Sequence, residues 1–505
     1  MLSLPQMSEH FDRILNRITR YSLLLAAAVC VVFWFVRIAY AISFTTPYLL
    51  STTGFEWENL LAVWKFVEHQ AVYTDPHRIP FTVSYYNWAY YWLYGAATSA
   101  VVHPLHLDAI WIPTVGRLIS LVFSFAAVGL FWLTGREVVK QGFFADRPVA
   151  WAWTLIATAG PIIGFWSITV RPDIGALCFE AAGLYLILRF LRTADHRLIA
   201  AAALLFYMAW AFKQSSVTML TGAVLALLFF KRWRAFFTLC SIWWALVIAT
   251  LIAGGAVYRE NVLFSQKHLP VTLSLGLTNI FRAFEKSPFL LLCLFALMVF
   301  LAKNFRRLRT DPASALLTLS FLFSFGFALL TSCKDGASDN YYIPASWIAM
   351  LGFALTLEPA GARWKQAGLI VCSALSIGAI AFSPTGRTFY ISYRNQDAPH
   401  RAVAEKLRHL PGPAFVIEPY MNLPWVQRTD PHFVIPDTYY FDHAAGVPTE
   451  DGGWENLAAQ GYFGTMVLDR PHISPVILRK YKQVDEYNDG YYDFKIYCRN
   501  GLAPE

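Results

Sequence analysis

Runs of about 18 or more apolar residues return repeatedly along this chain of 505 residues, and that is the length a helix needs to cross a bilayer. Hydrophobic residues make up 56% of the chain and charged residues 15%. The fold class this implies is an all-α polytopic membrane bundle. The net charge of +8 does not point to nucleic acid, because Lys and Arg gather in the short connections between apolar runs, as the positive-inside rule requires.

Those basic connections set an orientation. Arg13/Arg17/Arg20, Arg136/Lys140/Arg147, Arg192/Arg197, Lys231/Arg232/Arg234, Lys303/Arg306/Arg307/Arg309 and Arg363/Lys365 fall in every second connection, so these face the cytoplasm. The pattern predicts about eleven transmembrane helices, near residues 22–42, 114–135, 148–168, 174–191, 198–212, 216–230, 235–257, 288–304, 312–332, 341–357 and 366–384. The N-terminus is then cytoplasmic and the C-terminus outside. The segment from Tyr85 to Val102 reads as a juxtamembrane helix on the outer surface, since its tyrosines, Asn87 and Trp92 suit an interface, and a span there would put the next basic loop outside. The first run, Leu23 to Ala41, ends in Ala39-Tyr40-Ala41, which mimics a signal-peptidase site. Its length and Arg37 near its outer end make it an uncleaved anchor.

Residues 1–386 form one expected module, with a first outer loop at about 43–113. From residue 387 the composition changes. GPAFVIEP, HFVIP, GTMVLD and YDFKIYC read as short strands, with helical patterns at His400 to Leu410 and Trp454 to Gln460. Residues 387–505 are therefore expected to be a small extracytoplasmic α/β domain that roofs a site or holds an acceptor. Of seven cysteines, Cys30, Cys178, Cys240, Cys293 and Cys372 lie in or near apolar runs without metal-ligand spacing. Cys333 and Cys498 fall at outer positions, and whether they are bonded stays open.

Unusual polar residues collect on the outer side: Glu56 and Glu58 in the first loop, Arg171-Pro172-Asp173 in the second, Lys213-Gln214 in the third, and Lys334 to Asn340 in the fifth. The fourth, Tyr258 to Ser287, carries Arg259, Lys267, His268, Arg282 and Lys286 and is a candidate lid. Carboxylates beside cations at a lipid boundary suit a substrate with an apolar tail and an anionic head, such as a polyprenyl-phosphate sugar. Its phosphate leaves already acidic, so one carboxylate to deprotonate the attacking hydroxyl and cations for the growing charge suffice. Local readings compete at each position. Pro172 and Asp173 also suit the first turn of a helix, Lys213 also suits a snorkelling span end, and Glu180, two turns inside an apolar run, also suits an interhelical pair. His69 and His77 show no metal-site spacing.

The order of these segments resembles that of the GT-C glycosyltransferases. The anchor is followed by GFEWENLLAVWKFVEHQAVYTDP and YYNWAYYWLYG, then RPD with GALCFEAAGLYL, then WAFKQSS and KDGASDNYYIP. Within that class the similarity is to bacterial transferases akin to protein O-mannosyltransferases and the lipid A aminoarabinose transferase, over residues 20 to about 385. The resemblance implies transfer of a sugar, with inversion, from a polyprenyl-phosphate donor to a glycan, lipid or protein acceptor at the outer face. It also implies an acid of the first outer loop as base. Glu56 occupies the acidic place and Glu58 rivals it; Tyr73 matches the tyrosine of a G-x-x-Y-like motif whose glycine is replaced by Gln70 or Ala71, and the usual Asp is absent. Asp173 matches the acid of the second loop, which arranges the site and in some relatives a metal. Arg171, Lys213 and Lys334 match donor-phosphate positions, and Asn340 and Tyr341 match a substrate-binding pair. No cofactor is implied with certainty, and a divalent metal is left open.

The expected location is the bacterial inner membrane, with membrane lipid as a further partner. A transporter or flippase of lipid-linked saccharide is the rival reading, although no internal repeat and no paired Gly/Pro-broken helices favour it. A non-enzymatic assembly or receptor protein is a third.

Overall fold

A computed structural model describes residues 4–42, 56–138, 146–356, 362–382, 402–427, 430–488 and 493–502. In chain order its helices are α1 (Leu4–Ala41), α2 (Trp57–Val67), α3 (Trp88–Val102), α4 (Ile112–Val138), α5 (Arg147–Ala159), α6 (Ile163–Trp166) and α7 (Asp173–Thr193). There follow α8 (Arg197–Phe212), α9 (Thr218–Phe229), α10 (Trp233–Ala253), α11 (Gly255–Arg259), α12 (Leu273–Lys286), α13 (Pro288–Asn304), α14 (Pro312–Thr331), α15 (Ile343–Thr356) and α16 (Ala362–Phe382). A helix at 402–407 is α17, and α18 (Asp437–Ala444), α19 (Gly453–Gln460) and α20 (Pro475–Lys480) complete the set.

The protein is a multi-pass membrane protein. Among the described residues, seven helices are long and apolar enough to cross a bilayer, and α8 and α9 are shorter apolar helices. The expected span at 148–168 is broken: α5 stops at Ala159, Gly160-Pro161 intervenes, and α6 is a single turn. A proline has no N–H to give to the preceding turn and its ring clashes there. The expected span at 341–357 starts later, at Ile343, after a 3₁₀ turn over Asp339–Tyr342. The segment expected to lie along the membrane surface is helical from Trp88 onward.

The chain divides into two compact units. One holds Met1–Tyr40, Leu118–Thr250 and Pro270–Arg387; the other holds Ala41–Arg117, Leu251–Leu269 and Thr388–Glu505. In the first, α7 packs along α8, α9 along α14, and α15 between α13 and α14. Close approach needs small residues at the crossings. A Cβ on Gly222 of α9 would stand 2.4 Å from the Cα of Ser320 on α14, so only glycine allows the two backbones this near.

In the second unit, β1 (Ala414–Val416), β2 (Thr465–Asp469), β3 (Tyr481–Asn488) and β4 (Asp493–Arg499) form a sheet of order β1-β2-β4-β3. The β1/β2 pair is parallel and the others antiparallel. The reading of HFVIP as a strand is corrected: His432–Ile435 makes no ladder, and instead Val434 N–H donates to His432 O and Ile435 N–H to Phe433 O in tight local turns. Pro431 and Pro436 bracket this stretch, removing the donors a strand needs. Its apolar side chains, Phe433 and Ile435, are buried in the domain core all the same. Strand β3 escapes sequence reading because most of it is solvent-exposed at the sheet edge and carries Lys482, Gln483, Asp485 and Glu486.

The first long loop belongs to this unit, and Phe81 explains how. Its ring is fully buried in the same core as Phe415, Phe433, Trp454 and Phe463. Further along, Tyr85 Oη lies 2.8 Å from Thr438 Oγ1, Ile79 N–H donates to Glu450 Oε2 at 2.8 Å, and Trp57 meets Tyr420 edge-on at 4.4 Å. All seven cysteines are free thiols, Cys333 and Cys498 included.

Candidate functional site

Asp173 begins α7, directly after Pro172, whose φ of −74° already suits a helix start. Three side chains converge on its carboxylate. Lys213 Nζ donates to Oδ1 at 2.6 Å, Asn340 Nδ2 to Oδ1 at 2.8 Å, and Arg171 Nε to Oδ2 at 3.1 Å. Each donor comes from an irregular piece of chain. Lys213 is the extended residue that ends α8, Asn340 sits in the 3₁₀ turn before α15, and Arg171 precedes Pro172. The cluster is nearly sealed: the side chain of Asp173 is 2% exposed and those of Arg171 and Lys213 are 10% exposed. Charges this deep persist only when paired and hydrogen-bonded.

Below the cluster lies a pocket of about 30 Å³, room for about two water molecules. Asp173, Leu177 and Glu180 line one side from successive turns of α7; Lys213, Ser215, Ser216 and Thr218 line another, and Phe327, Asn340 and Tyr341 close it. Lys213 Nζ lies 4.8 Å from the centre of the Tyr341 ring, a cation–π distance. Glu180 is fully buried and takes the N–H of Met219 at 3.0 Å on Oε1. It thus covers the start of α9 from a neighbouring helix, where a negative charge is favoured. Lys334, the other cation read as phosphate-binding, lies in the loop before Asn340. Its backbone pairs with Val271, and burial lowers its ammonium pKa.

Glu56 and Glu58 lie in the other unit. Glu56 stands just before α2 and is fully buried, its Oε2 3.0 Å from Nη2 of Arg117, which is itself fully buried. Arg117 also donates from Nη1 to Ala41 O at 3.2 Å. Sequence reading passed over Arg117, although an arginine five residues into an apolar helix is a functional signal in its own right. Glu58 is buried in the first turn of α2. Its charge is felt by Tyr85, whose phenol pKa is raised well above the usual value by burial first and then by Glu58.

Tyr73 donates its hydroxyl to Tyr86 O at 2.8 Å and packs edge-on against Tyr258 at 4.9 Å. Burial, with Tyr91 and Tyr258 adding to it, raises the pKa of this phenol well above the usual value. The segment read as a lid is divided. Residues up to Leu269 belong with Glu56 and those from Pro270 onward with Asp173. The first part is stitched down: Tyr258 donates to Asn87 Oδ1 at 2.7 Å, while Asn261 accepts from Ser84 N–H at 2.9 Å and donates to Thr74 O at 2.8 Å.

Lys65, also missed from sequence, is 7% exposed on the last turn of α2 and is held by the hydroxyls of Thr82 at 2.8 Å and Thr74 at 3.3 Å. Burial lowers its pKa to about 8. Among the described residues no group of three or more His, Cys, Asp or Glu is placed to hold a metal ion. His69 stacks on His103, and His77 lies 4.0 Å from Glu260.

No protein-family model and no curated protein matches the sequence. Solved structures do match. ArnT from Cupriavidus metallidurans, in a crystal structure bound to undecaprenyl phosphate, superposes with a TM-score of 0.58 at 11% identity, over 95% of this chain and 98% of that one. The apo form of the same protein gives 0.59 at 12% identity, over 95% and 98%. The oligosaccharyltransferase of Archaeoglobus fulgidus, tethered to an acceptor peptide, gives 0.54 at 12% identity over 94% of this chain and 74% of that one. At these identities the likeness shows the fold alone, which this chain shares with ArnT and with the archaeal oligosaccharyltransferase.

Proposed function

We propose that this GT-C fold transfers a sugar, with inversion, from a polyprenyl-phosphate carrier to a hydroxyl of a glycan, lipid or protein acceptor. The observation that carries this reading is the pocket headed by Asp173, where Arg171, Lys213 and Asn340 are held in one nearly sealed cluster. Cations fixed before the reaction stabilise charge that grows on a leaving phosphate without reorganising. The likeness to an ArnT structure bound to undecaprenyl phosphate and to an archaeal enzyme complexed with a dolichol-phosphate and an inhibitory peptide supports the same substrate class.

In this mechanism the acceptor hydroxyl gives its proton to a carboxylate as its oxygen bonds to the anomeric carbon. The bond from that carbon to the phosphate oxygen breaks, and the electron pair leaves with the phosphate. Glu56 is the assigned base and Glu58 the rival. Arg117 holds the Glu56 carboxylate in one orientation and answers its charge in a place where an isolated carboxylate would be costly. Asp173 takes a positioning role, since both its oxygens are occupied in holding Arg171, Lys213 and Asn340. Tyr341 and Asn340 border the donor side, Lys334 gives a further cation, and Tyr73 shapes the loop that carries the base. The finer topology belongs to this reading: eleven spans in a bacterial inner membrane, a cytoplasmic N-terminus, and residues 387–505 outside as a roof or acceptor holder.

The test is transfer of labelled sugar from a panel of polyprenyl-phosphate sugars into membrane extracts by the native protein, Glu56→Gln and Glu58→Gln at matched expression. Loss with Glu56→Gln alone supports the assignment, and loss with Glu58→Gln alone moves the base by two residues. Absence of transfer from every donor, with flipping of lipid-linked sugar intact, replaces the reading by a transporter.

A further inference from the structure

Three sulfur atoms meet among α13, α15 and α16. Cys293 on α13 donates its thiol to Met350 Sδ on α15 at 3.7 Å, and it meets the Cys372 thiol of α16 side chain to side chain. Cys293 and Cys372 are fully buried and Met350 is 1% exposed. Helix α13 packs against both of the other helices, and α13 and α16 are among the seven long enough to span a bilayer. The main chain of Met350 is held from a fourth helix, where Trp153 Nε1 donates to its carbonyl at 3.2 Å.

A buried cysteine ordinarily serves as a small apolar filler. Cys178 shows that use, its thiol donating to Phe123 O at 3.0 Å. Cys293 differs, because its S–H is turned to a thioether, a weak acceptor, with a second thiol beside it. Harder donors are kept away. The hydroxyls of Ser373 and Ser376 on α16 turn back to Leu369 O and Cys372 O of their own helix, each at 2.8 Å. Among the described residues no Asp, Glu or His joins the two thiols in a group of three.

Two thiols and a thioether on three helices form a set of soft donors. Such donors favour Cu(I), whereas Zn(II) in a closed site takes four ligands drawn from Cys, His and carboxylates. Three sulfurs at a metal–sulfur length of about 2.3 Å stand about 4 Å apart in a trigonal plane, close to the 3.7 Å between Cys293 and Met350. Charge favours the same ion. A monovalent cation that replaces one thiol proton leaves the net charge unchanged, and burial among apolar helices penalises net charge heavily.

We propose that Cys293, Cys372 and Met350 form a binding site for a soft monovalent metal ion, Cu(I). This goes beyond the transferase reading and does not depend on it. Loading is a ligand exchange without oxidation or reduction. A small thiol carrying Cu(I) delivers the ion to one cysteine sulfur; the carrier's Cu–S bond breaks as the new one forms, and the cysteine proton passes to the carrier thiolate. The other cysteine and Met350 complete the coordination through sulfur lone pairs.

The experiment is a titration of the full-length reduced protein, in detergent and without oxygen, with Cu(I) buffered by a competing chromogenic chelator. The copper environment is then read by X-ray absorption. One Cu(I) per chain is expected, with a shell of sulfur alone and a thermal midpoint that rises with free Cu(I). Cys293→Ser and Cys372→Ser should each weaken binding about a hundredfold and Met350→Leu about tenfold, while Cys240→Ser leaves it unchanged. Met350→Leu conserves core volume and keeps the test decisive if a serine variant fails to fold.

Three results overturn the proposal. Equal loss of copper in Cys240→Ser, or nitrogen and oxygen in the shell, shows adventitious binding to thiols. Undiminished binding by Met350→Leu removes the third donor. A Cys293–Cys372 disulfide recovered after mild oxidation, with no copper retained by the reduced protein, makes the pair a redox couple instead.

Discussion

Glu56 and Asp173 are both buried carboxylates held by arginine, yet their surroundings differ in composition. Glu56 has the guanidinium of Arg117, with both side chains at zero exposure. Asp173 has Arg171, Lys213 and the Asn340 amide, and it borders a pocket. The first arrangement places an acid and a cation face to face; the second gathers cations about an acid that holds them. A carboxylate held by a guanidinium suits a proton acceptor kept in one pose. A carboxylate serving two cations suits an anchor that keeps them in fixed positions.

The sharpest way to break that contrast is Glu56→Gln. If Glu56 is the base, transfer falls by roughly 10²- to 10⁴-fold with the protein still folded, measured as initial rate at saturating donor. A drop of the same size with Asp173→Asn at saturating donor would remove the distinction between the two acids.

Stability gives the next largest effect. Arg117→Met leaves Glu56 buried without its cation and should cost about 3–5 kcal/mol, read from urea unfolding of the detergent-solubilised protein. The double change Glu56→Gln with Arg117→Met should recover most of that loss, since no charge is then left alone.

Lys65 sharpens the comparison from a third side, because it is a buried cation held by two hydroxyls. Its pKa of about 8 lies below the ordinary lysine value of 10.5, so between those values the unfolded chain binds more protons than the native one. Stability from this group therefore rises with pH through the window from about 8 to 10.5, and the cost of the buried charge is fully present below it. The gain is about 3 kcal/mol across the window. Lys65→Met should flatten the pH dependence by that amount relative to the native protein; identical slopes for the two would refute the lowered pKa.

The smallest effect is expected at Glu180. Glu180→Gln keeps an acceptor for the Met219 N–H and should change stability by less than about 0.5 kcal/mol, whereas Glu180→Ala loses it and should cost about 1 kcal/mol. Equal effects of the two would show that charge matters more at this position than the start of α9.

Much of this was legible in the sequence. Apolar length predicted the long helices, and the composition change after residue 387 predicted strands at β1, β2 and β4. Arg171, Asp173, Lys213, Asn340 and Tyr341 were readable as a group because charged and polar residues are rare at the ends of apolar runs. Arg117 and Lys65 were not, since each sits alone among apolar neighbours and its partner, Glu56 or Thr82, is distant in sequence. Strand β3 was hidden by its exposed, charged face, and the HFVIP stretch looked like a strand because β-branched and aromatic residues serve a buried loop equally well.

By itself the sequence determined that the chain enters a membrane as helices, since backbone polarity leaves few alternatives in hydrocarbon. It also determined which short segments carry the polar groups. Only the tertiary structure decided which of these meet: that Asp173 collects Lys213 and Asn340 from turns 40 and 167 residues away, that Arg117 reaches Glu56, and that Phe81 sends the first loop into the core of the C-terminal sheet. Periodicity and charge are local properties of a chain. Pairing of buried charges is a property of where helices cross, and those crossings are set by packing across the whole fold.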